Sequence, residues 1–314
     1  MGKKKMTVAN FNIVFGTKEE PLLDYFDTII MPALSKETTI IKKDPGYRFL
    51  NVEVIDSGND DFVLTGVIVK NTTLEVLSKI DGNGNLVEAN ELHPSAPYSL
   101  FSIFLKNHRM VLVKNQKGSP DIRFFASAIK SVLKNYIRVE NTKRKEEEQD
   151  LLPYPIINII GIPMKGSIEE ALKKVSQINK LTLRFYPLNG DLDFTDIFEG
   201  MATDLRKMVG SKTGSVVLNS PTSKSGIIEV ITAAQGTVDP IIEVTYPDKS
   251  TGRIRNGILS ENLDITYNDS TVENAINEIT TASKRIESIA IVSEGNREIY
   301  ETNKSNIIPF VKRK

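Results

Sequence analysis

The chain of 314 residues carries 40 lysine and arginine side chains against 40 aspartate and glutamate side chains, so its formal net charge is zero. The absence of cysteine excludes disulfide bonds, thiolate nucleophiles, zinc fingers and iron–sulfur clusters, and two histidines are too few for a typical multi-histidine metal centre. An apolar content of 40% excludes a disordered chain, and the length predicts about two domains.

In the first part of the chain, strand-like segments surround one short helix. The predicted strands are residues 7–15, 47–55, 62–69 and 73–80. The helix follows the first strand, with Pro21 in its first turn and Pro32 close to its end. Turn-forming residues at 56–60 join the second and third strands into a hairpin, and the glycine-rich sequence at 81–85 ends the fourth strand.

A strong hairpin and an amphipathic helix follow. Residues 98–106 and 109–114 are rich in large apolar side chains and flank a short polar turn, which predicts two paired strands. From Ile122 to Ile137, apolar side chains recur at intervals of three or four residues, which predicts a helix within residues 120–141. The charged residues 143–150 show no apolar periodicity and predict a solvated linker or helix end.

The second half of the chain again mixes strands and helices. The predicted strands are residues 156–162, 181–186, 214–218, 241–246 and 253–259, the predicted helices are residues 167–175, 194–209 and 270–291, and residues 227–234 fit either type. These elements predict an α+β fold of two domains, with antiparallel or mixed sheets and packed helices. The N-terminal domain is expected to cover residues 1–178, with the basic helix 120–141, and the C-terminal domain residues 179–314, ending in a long helix.

The sequence contains no motif that assigns a catalytic reaction. Neighbouring carboxylates such as Asp60 and Asp61 cluster in turns, whereas acid–base or two-metal chemistry needs carboxylates that converge from separate elements. The glycines of residues 210–214 follow a predicted helix and lack the first glycine of a phosphate-binding loop. We therefore predict no catalytic residue, no metal ligand and no cofactor, and we favour a protein that is not an enzyme.

Basic residues cluster in one segment of this neutral chain. Between residues 103 and 145, eleven basic residues stand against two acidic ones, which gives a local net charge of +9. Lys130, Lys134 and Arg138 are four residues apart and share one face of the predicted helix. Such a row matches the phosphate groups of a nucleic acid, because each contact adds affinity that is independent of base sequence. The alternative is a solvated helix face that acidic segments elsewhere balance.

The order of the predicted elements resembles that of the RexA family of phage-exclusion proteins. The similarity lies in the hairpin and the polar turn at 114–121 that lead into the amphipathic helix, and in the isoleucine-rich strand and residues 181–185 after it. It continues through residues 241–246, the turn that ends at Gly252 and the closing helix, and it covers about two-thirds of the chain. The resemblance implies an intracellular anti-phage factor that forms a dimer, binds DNA with little sequence preference and acts through a partner.

The same resemblance extends the candidate binding residues to the second half of the chain. In the RexA family the strand before this turn carries basic residues, whereas here it carries Glu243 and Tyr246, and the nearest basic residues follow in and after the turn. The nucleic-acid-binding residues predicted from charge and from the resemblance together are Lys114, Lys117, Arg123, Lys130, Lys134, Arg138, Lys249, Arg253 and Arg255.

The sequence therefore predicts a cytoplasmic bacterial homodimer that binds nucleic acid, or a phage protein, and signals to a partner effector, for which a membrane-bound protein is one candidate. No apolar run approaches the roughly 20 residues that a membrane-spanning helix needs, so we expect no direct insertion into a membrane. Two alternatives stay open. One is a metal-dependent nuclease effector whose carboxylates converge only in the fold, and the other is a structural homo-oligomer that does not contact nucleic acid.

Overall fold

A computed structural model describes residues 3–35, 46–190, 206–260, 262–268 and 270–312. Within these ranges the chain forms two antiparallel sheets with packed helices, which confirms the α+β class predicted from the sequence. The predicted helix at 194–209 lies mostly outside the described residues, and only Arg206–Met208 of it is described as helical.

The described strands are β1 (Lys4–Phe15), β2 (Glu20–Pro21), β3 (Gly46–Asp56), β4 (Phe62–Ile80), β5 (Leu86–Ser95), β6 (Tyr98–Phe104), β7 (Arg109–Lys114), β8 (Pro155–Gly161), β9 (Gln177–Phe185), β10 (Gly214–Asn219), β11 (Val238–Thr245), β12 (Thr251–Arg255) and β13 (Asn262–Ile265). The described helices are α1 (Met31–Ser35), α2 (Ile122–Glu146), α3 (Lys165–Lys173), α4 (Arg206–Met208), α5 (Lys224–Ala233), α6 (Asn256–Leu259), α7 (Val272–Ser283), α8 (Glu287–Ala290) and α9 (Glu294–Ile307). A 3-10 turn over Leu22–Tyr25 and a π turn over Phe26–Ile30 lead into α1, and a 3-10 turn over Ile308–Phe310 follows α9.

The first and larger sheet lies between two layers of helices. Its strands run in the order β13-β1-β7-β6-β4-β3, and β8 pairs with β1 beside β13. Alternation along β1 directs Phe11 and Ile13 to one face of the sheet and Met6 and Val8 to the other. Helices α1, α2 and α9 cover the first face, and α7 covers the second. Because both faces are buried, the central strands are almost continuously apolar.

The second sheet belongs to a unit inserted between β8 and β13. It runs in the order β10-β9-β11-β12, and helices α3 and α5 cover one of its faces. Their side chains, among them Leu172 and Ile231, form a core that is separate from the two cores of the first sheet. The entry and exit of the unit lie side by side, because the N–H of Met164 donates to the C=O of Leu259 at 2.8 Å.

Two asparagines on β1 attach the inserted unit to the first sheet. The side-chain Nδ2 of Asn10 donates to the C=O of Gly236 at 3.3 Å, and that of Asn12 donates to the C=O of Pro187 at 2.5 Å. Both asparagines are buried, and buried amides require such partners. Together with the bond from the guanidinium of Arg109 to the C=O of Gln235 at 2.9 Å, these bonds hold the inserted unit against the first sheet.

This packing differs from the predicted division of the chain into residues 1–178 and 179–314. The predicted boundary falls inside β9, and the chain returns to the first sheet after the insert. Strand β13 pairs with residues 4–7 of β1, and α7 packs on the first sheet. The smaller unit is thus an insertion whose described residues lie within 165–190 and 206–259. A strand of four residues carries too short a pattern to reveal this return from the sequence.

Strand β4 is longer than predicted and projects from the first sheet. The predicted strands at 62–69 and 73–80 form one strand, Phe62–Ile80, since no glycine or proline separates them. Beyond residue 71, β4 pairs with β5 to form a two-stranded arm, and β5 was not predicted from the sequence. Large apolar side chains on this arm, including Leu74, Ile80 and Leu86, are more than half exposed.

We expect that shortening the arm leaves the rest of the fold intact. Replacing residues 73–94 by Asn-Gly would join the paired residues Thr72 and Ser95 through a two-residue hairpin turn. Because the deleted side chains are mostly exposed, the thermal unfolding midpoint should change by less than roughly 4 °C. Circular dichroism melts of the two proteins provide the measurement. Loss of a cooperative transition would show that the arm supports the first sheet.

The C-terminal part of the described chain contains two main helices where one was predicted. The predicted helix at 270–291 breaks after Ser283, and the longer α9 follows at Glu294–Ile307. Tyr300 of α9 is buried, and its hydroxyl accepts from the N–H of Phe62 at 3.0 Å and donates to the C=O of Asp60 at 2.5 Å. These bonds attach α9 to the turn between β3 and β4.

Three further predictions change in detail. Residues 227–234, which fitted either type, belong to helix α5. The predicted strand at 253–259 ends at Arg255 and continues as the short helix α6. The charged segment at 143–150 begins as the last turn of α2, which ends at Glu146.

Candidate nucleic-acid interface

Four of the nine predicted binding residues line one cleft between the first sheet and the inserted unit. Lys114 is the last residue of β7, Arg123 lies in the first turn of α2, and Arg253 and Arg255 lie on β12. The cleft has a volume of about 520 Å³. The fold thus brings together residues that charge and the family resemblance had predicted separately.

Asp121 places the first turn of α2 at this cleft. Its carboxylate accepts hydrogen bonds from the N–H groups of Arg123 and Phe124, both at 3.0 Å, and so caps the helix. The same carboxylate lies 3.3 Å from the guanidinium group of Arg123. Phe125 and Ile129 are buried on the opposite side of the helix, against the first sheet, so the polar side of α2 faces outward.

The remaining basic residues of α2 continue this outward face away from the cleft. At about 100° per residue, Lys130 and Lys134 lie within about 20° of Arg123 around the helix axis, and Arg138 lies about 60° away. All four side chains are exposed. At a rise of about 1.5 Å per residue, the row from Arg123 to Arg138 is about 22 Å long. We call this row, together with the four basic residues of the cleft, the basic surface.

Part of the uncovered face of the second sheet lines the cleft, through Asp239, Arg253 and Arg255, and other charged residues of this face lie beside them. In β9, Leu181 is buried under the helices, whereas Lys180 and Arg184 alternate with the buried positions and lie on the uncovered face. The register sets Arg184 opposite Asp239 and Lys180 opposite Glu243 of β11. Lys180 and Arg184 were not predicted from the sequence as binding residues. The alternation of apolar and basic side chains in this strand was the pattern that could have indicated them.

Glu243 lies between two of these cations. Its carboxylate is 3.3 Å from Nζ of Lys180 and 3.0 Å from Nη2 of Arg253, and the register places the three side chains in one row across β9, β11 and β12. The hydrogen bond from Lys180 lowers the pKa of Glu243 below its ordinary value, and the charges of Lys180 and Arg253 add to this effect. Glu243 is therefore ionised at neutral pH and competes with any anion for both cations.

Removing the charge of Glu243 should strengthen binding of a nucleic acid. The change Glu243→Gln frees Lys180 and Arg253, so we expect an affinity gain of about threefold at 50 mM salt and a steeper dependence on salt. The matched control is Glu229→Gln, which removes the same charge on α5, on the helix side of the second sheet. Anisotropy titrations with labelled DNA measure both variants. Equal affinities for the two would show that Glu243 does not compete with the ligand.

Asp239 is the second acidic residue that lines the cleft, with Asp121. Burial raises the pKa of the Asp239 carboxyl above its ordinary value, and the positive charges of Arg184 and Arg255 act in the opposite direction. Its side chain makes no hydrogen bond to the residues that the structure describes. The two cations therefore provide the main compensation for its charge.

Lys117 and Lys249, which were also predicted to bind, lie outside the cleft. Lys117 is exposed in the turn before α2. Lys249 lies in the turn between β11 and β12 with a φ of 69°, whereas Arg255 pairs with Ile241 at the other end of the same hairpin. Lys249 is thus separated from the cleft by the length of the hairpin.

Within the described ranges, no three side chains of the His, Asp and Glu types are grouped so that they could hold a metal ion. In the same part of the chain, no helix has both the length and the apolar character required to cross a membrane. No family model matches the sequence, and no curated protein matches it.

Proposed function

We propose that this protein binds nucleic acid through the basic surface, with little preference for base sequence. The observation that carries the proposal is the convergence of Lys114, Arg123, Arg253 and Arg255 on one cleft. These residues come from two separate units of the fold. In the alternative interpretation, the basic residues are only solvated and nearby acidic residues balance their charge. That interpretation gives no reason for basic residues from both units to meet at one cleft.

The shape of the basic surface suits an extended polyanion. The row on α2 leads away from the cleft for about 22 Å, a length that corresponds to about six base pairs at 3.4 Å each. Lys130 and Lys134 are exposed, and neither forms an ion pair with a described residue. Both are therefore available to neutralise phosphate groups and to release counterions.

The chemistry of the basic surface favours backbone contacts over base reading. Its members are lysines and arginines on a helix face and a sheet face, which is the usual composition of phosphate-contacting sites. Aromatic side chains, on which the bases of single strands stack, are absent from the described residues that line the cleft. We therefore expect similar affinities for unrelated sequences.

A binding titration tests this function. Two labelled 20-base-pair duplexes of unrelated sequence are titrated with the protein at 50 and 150 mM salt, with and without magnesium or manganese. We expect equal affinities for the two duplexes and, for five to seven phosphate contacts, a slope of log affinity against log salt of roughly −4 to −6. Absence of binding, or binding that ignores salt, would contradict the proposal. Cutting of the DNA in the presence of metal would instead identify a nuclease effector.

The biological setting that we propose is defence of a bacterium against phage, in the cytoplasm. The resemblance of the predicted order of elements to that of the RexA family supports this setting, and with it a dimer that signals to a partner effector. In cells that carry the surrounding genes, phage plating efficiency should rise when the binding residues Lys130 and Lys134 are both changed to glutamate. Unchanged plating by a panel of phages with or without the protein would argue against a role in defence.

A further inference from the structure

The cleft itself has the dimensions of a site for a small ligand. Its volume of about 520 Å³ falls within the range of roughly 300–1,000 Å³ that is typical of ligand pockets. Its lining combines the basic residues with apolar side chains, among them Ile122, Ile160 and Ile258. The row on α2 is an open helix face, so the cleft is the concave part of the basic surface.

The cations of the cleft differ in how far they are already paired. Arg123 lies 3.3 Å from Asp121, and Arg253 lies 3.0 Å from Glu243. The side chains of Lys114 and Arg255, in contrast, make no hydrogen bond and no ion pair with any described residue. A ligand can therefore reach Lys114 and Arg255 without breaking a hydrogen bond or an ion pair, and at Arg255 it competes only with the longer-range attraction of Asp239.

The net charge of the lining matches one kind of anion better than another. Four basic and two acidic side chains line the cleft, which leaves a net charge of +2. A phosphate monoester carries about −1.5 to −2 at neutral pH, whereas each internal phosphate of a nucleic acid carries −1. The lining can thus balance the charge of one phosphate that is attached at one side only, whereas a single internal phosphate would leave it positive.

We infer that the cleft binds a phosphate monoester joined to a nucleoside, with the phosphate held by Lys114 and Arg255 and the nucleoside packed on the isoleucines. Both a free nucleotide and the phosphorylated end of a nucleic-acid strand present this group. The inference deepens the proposed function and rests on it for the nature of the ligand. In the case of a strand, the cleft recognises its phosphorylated end, whereas the row on α2 binds the phosphates of its backbone.

The experiment measures both sources of this group. Calorimetry follows the binding of adenosine monophosphate and, separately, of inorganic phosphate to the protein of 314 residues. Anisotropy compares twelve-nucleotide strands of one sequence that end in a 5′-phosphate, a 3′-phosphate or hydroxyl groups only. All ligands are also tested with Lys114→Ala/Arg255→Ala and with the control Lys130→Ala/Lys134→Ala. The circular dichroism spectrum of each variant checks that it is folded.

Two results would support the inference, and each identifies a source. A free nucleotide is the ligand if adenosine monophosphate binds and the Lys114/Arg255 variant binds it about tenfold more weakly. A strand end is the ligand if a terminal phosphate raises the affinity of the oligonucleotide about tenfold in the native protein and in the α2 variant, but not in the Lys114/Arg255 variant.

Three results would overturn it: no preference for any phosphorylated ligand, no effect of the Lys114/Arg255 change, or inorganic phosphate binding as tightly as adenosine monophosphate. Failure of the proposed function has a different signature. In that case the strands without a terminal phosphate and the duplexes do not bind at all, while the calorimetric result with adenosine monophosphate still reports on the cleft.

Discussion

Replacing Phe125 by alanine should lower the free energy of unfolding by about 3–5 kcal/mol. Phe125 is fully buried between α2 and the first sheet. The centre of its ring lies 5.1 Å from that of Phe101, 5.6 Å from that of Phe49 and 6.3 Å from that of Phe11, all in edge-on contacts. The substitution removes these contacts together and leaves a cavity that the surrounding strands cannot close, because each of them is held in the sheet.

Urea unfolding followed by circular dichroism measures this loss, since the chain has no tryptophan to report by fluorescence. The matched control is the adjacent Phe124→Ala. The ring of Phe124 is 46% exposed and stacks on Tyr47 at 5.5 Å, so we expect a loss of only about 1 kcal/mol. Similar losses for the two variants would show that α2 is not anchored through Phe125.

Reversing two charges on α2 should have the largest effect on binding of nucleic acid. The change Lys130→Glu/Lys134→Glu alters the charge of the basic surface by four units and replaces two phosphate contacts by repulsion. We expect affinity at 50 mM salt to fall by about 10- to 100-fold, and the slope of log affinity against log salt to become about 1.8 less steep. The anisotropy titration described for the proposed function provides both quantities.

A control with the same change in net charge separates a local contact from the general charge of the protein. Lys173→Glu/Lys174→Glu lies at the end of α3, on the helix side of the second sheet and away from the cleft. We expect this variant to bind DNA within about threefold of the native protein, since exposed charges beyond a Debye length are largely screened. An equal loss in both variants would mean that α2 is not the contact surface.

The parts of the fold that the sequence predicted are those with a buried face. Helix α2 repeats apolar residues every three or four positions because one side packs on the first sheet. The paired strands β6 and β7 are almost entirely apolar because helices cover the sheet on both faces. In each case, burial leaves a pattern in the residues that form the element.

The parts that the sequence missed lack such a pattern or depend on distant contacts. Strand β5 has no buried face, since the arm projects from the first sheet. Helix α9 buries few side chains, with Tyr300 the largest of them, so its apolar periodicity is weak. The insertion depends on the pairing of β13 with β1, which joins residues more than 250 positions apart.

The features of the candidate site likewise divide into those that the sequence predicted and those that depend on distant contacts. Charge along the chain predicted Lys114, Arg123 and the row on α2, because these residues are close in sequence. That Arg253 and Arg255 face the same cleft depends on how the inserted unit lies on the first sheet, and the contacts of Asn10 and Asn12 contribute to that placement. The contact of Glu243 with two cations depends on the register of three strands. No local pattern specifies either relation.

The position of β1 also has a consequence for synthesis of the chain. Residues 9–15 of this strand pair with β8, whereas residues 4–7 pair with β13, which is synthesised much later. On a ribosome that adds about 5–20 residues per second, roughly 10–50 s separate Thr7 from its partner Asn262. During that time the nascent chain exposes an unpaired strand edge, the kind of surface through which chains aggregate. Lys4 and Lys5 lie on this edge, and their charges oppose such pairing until late in translation.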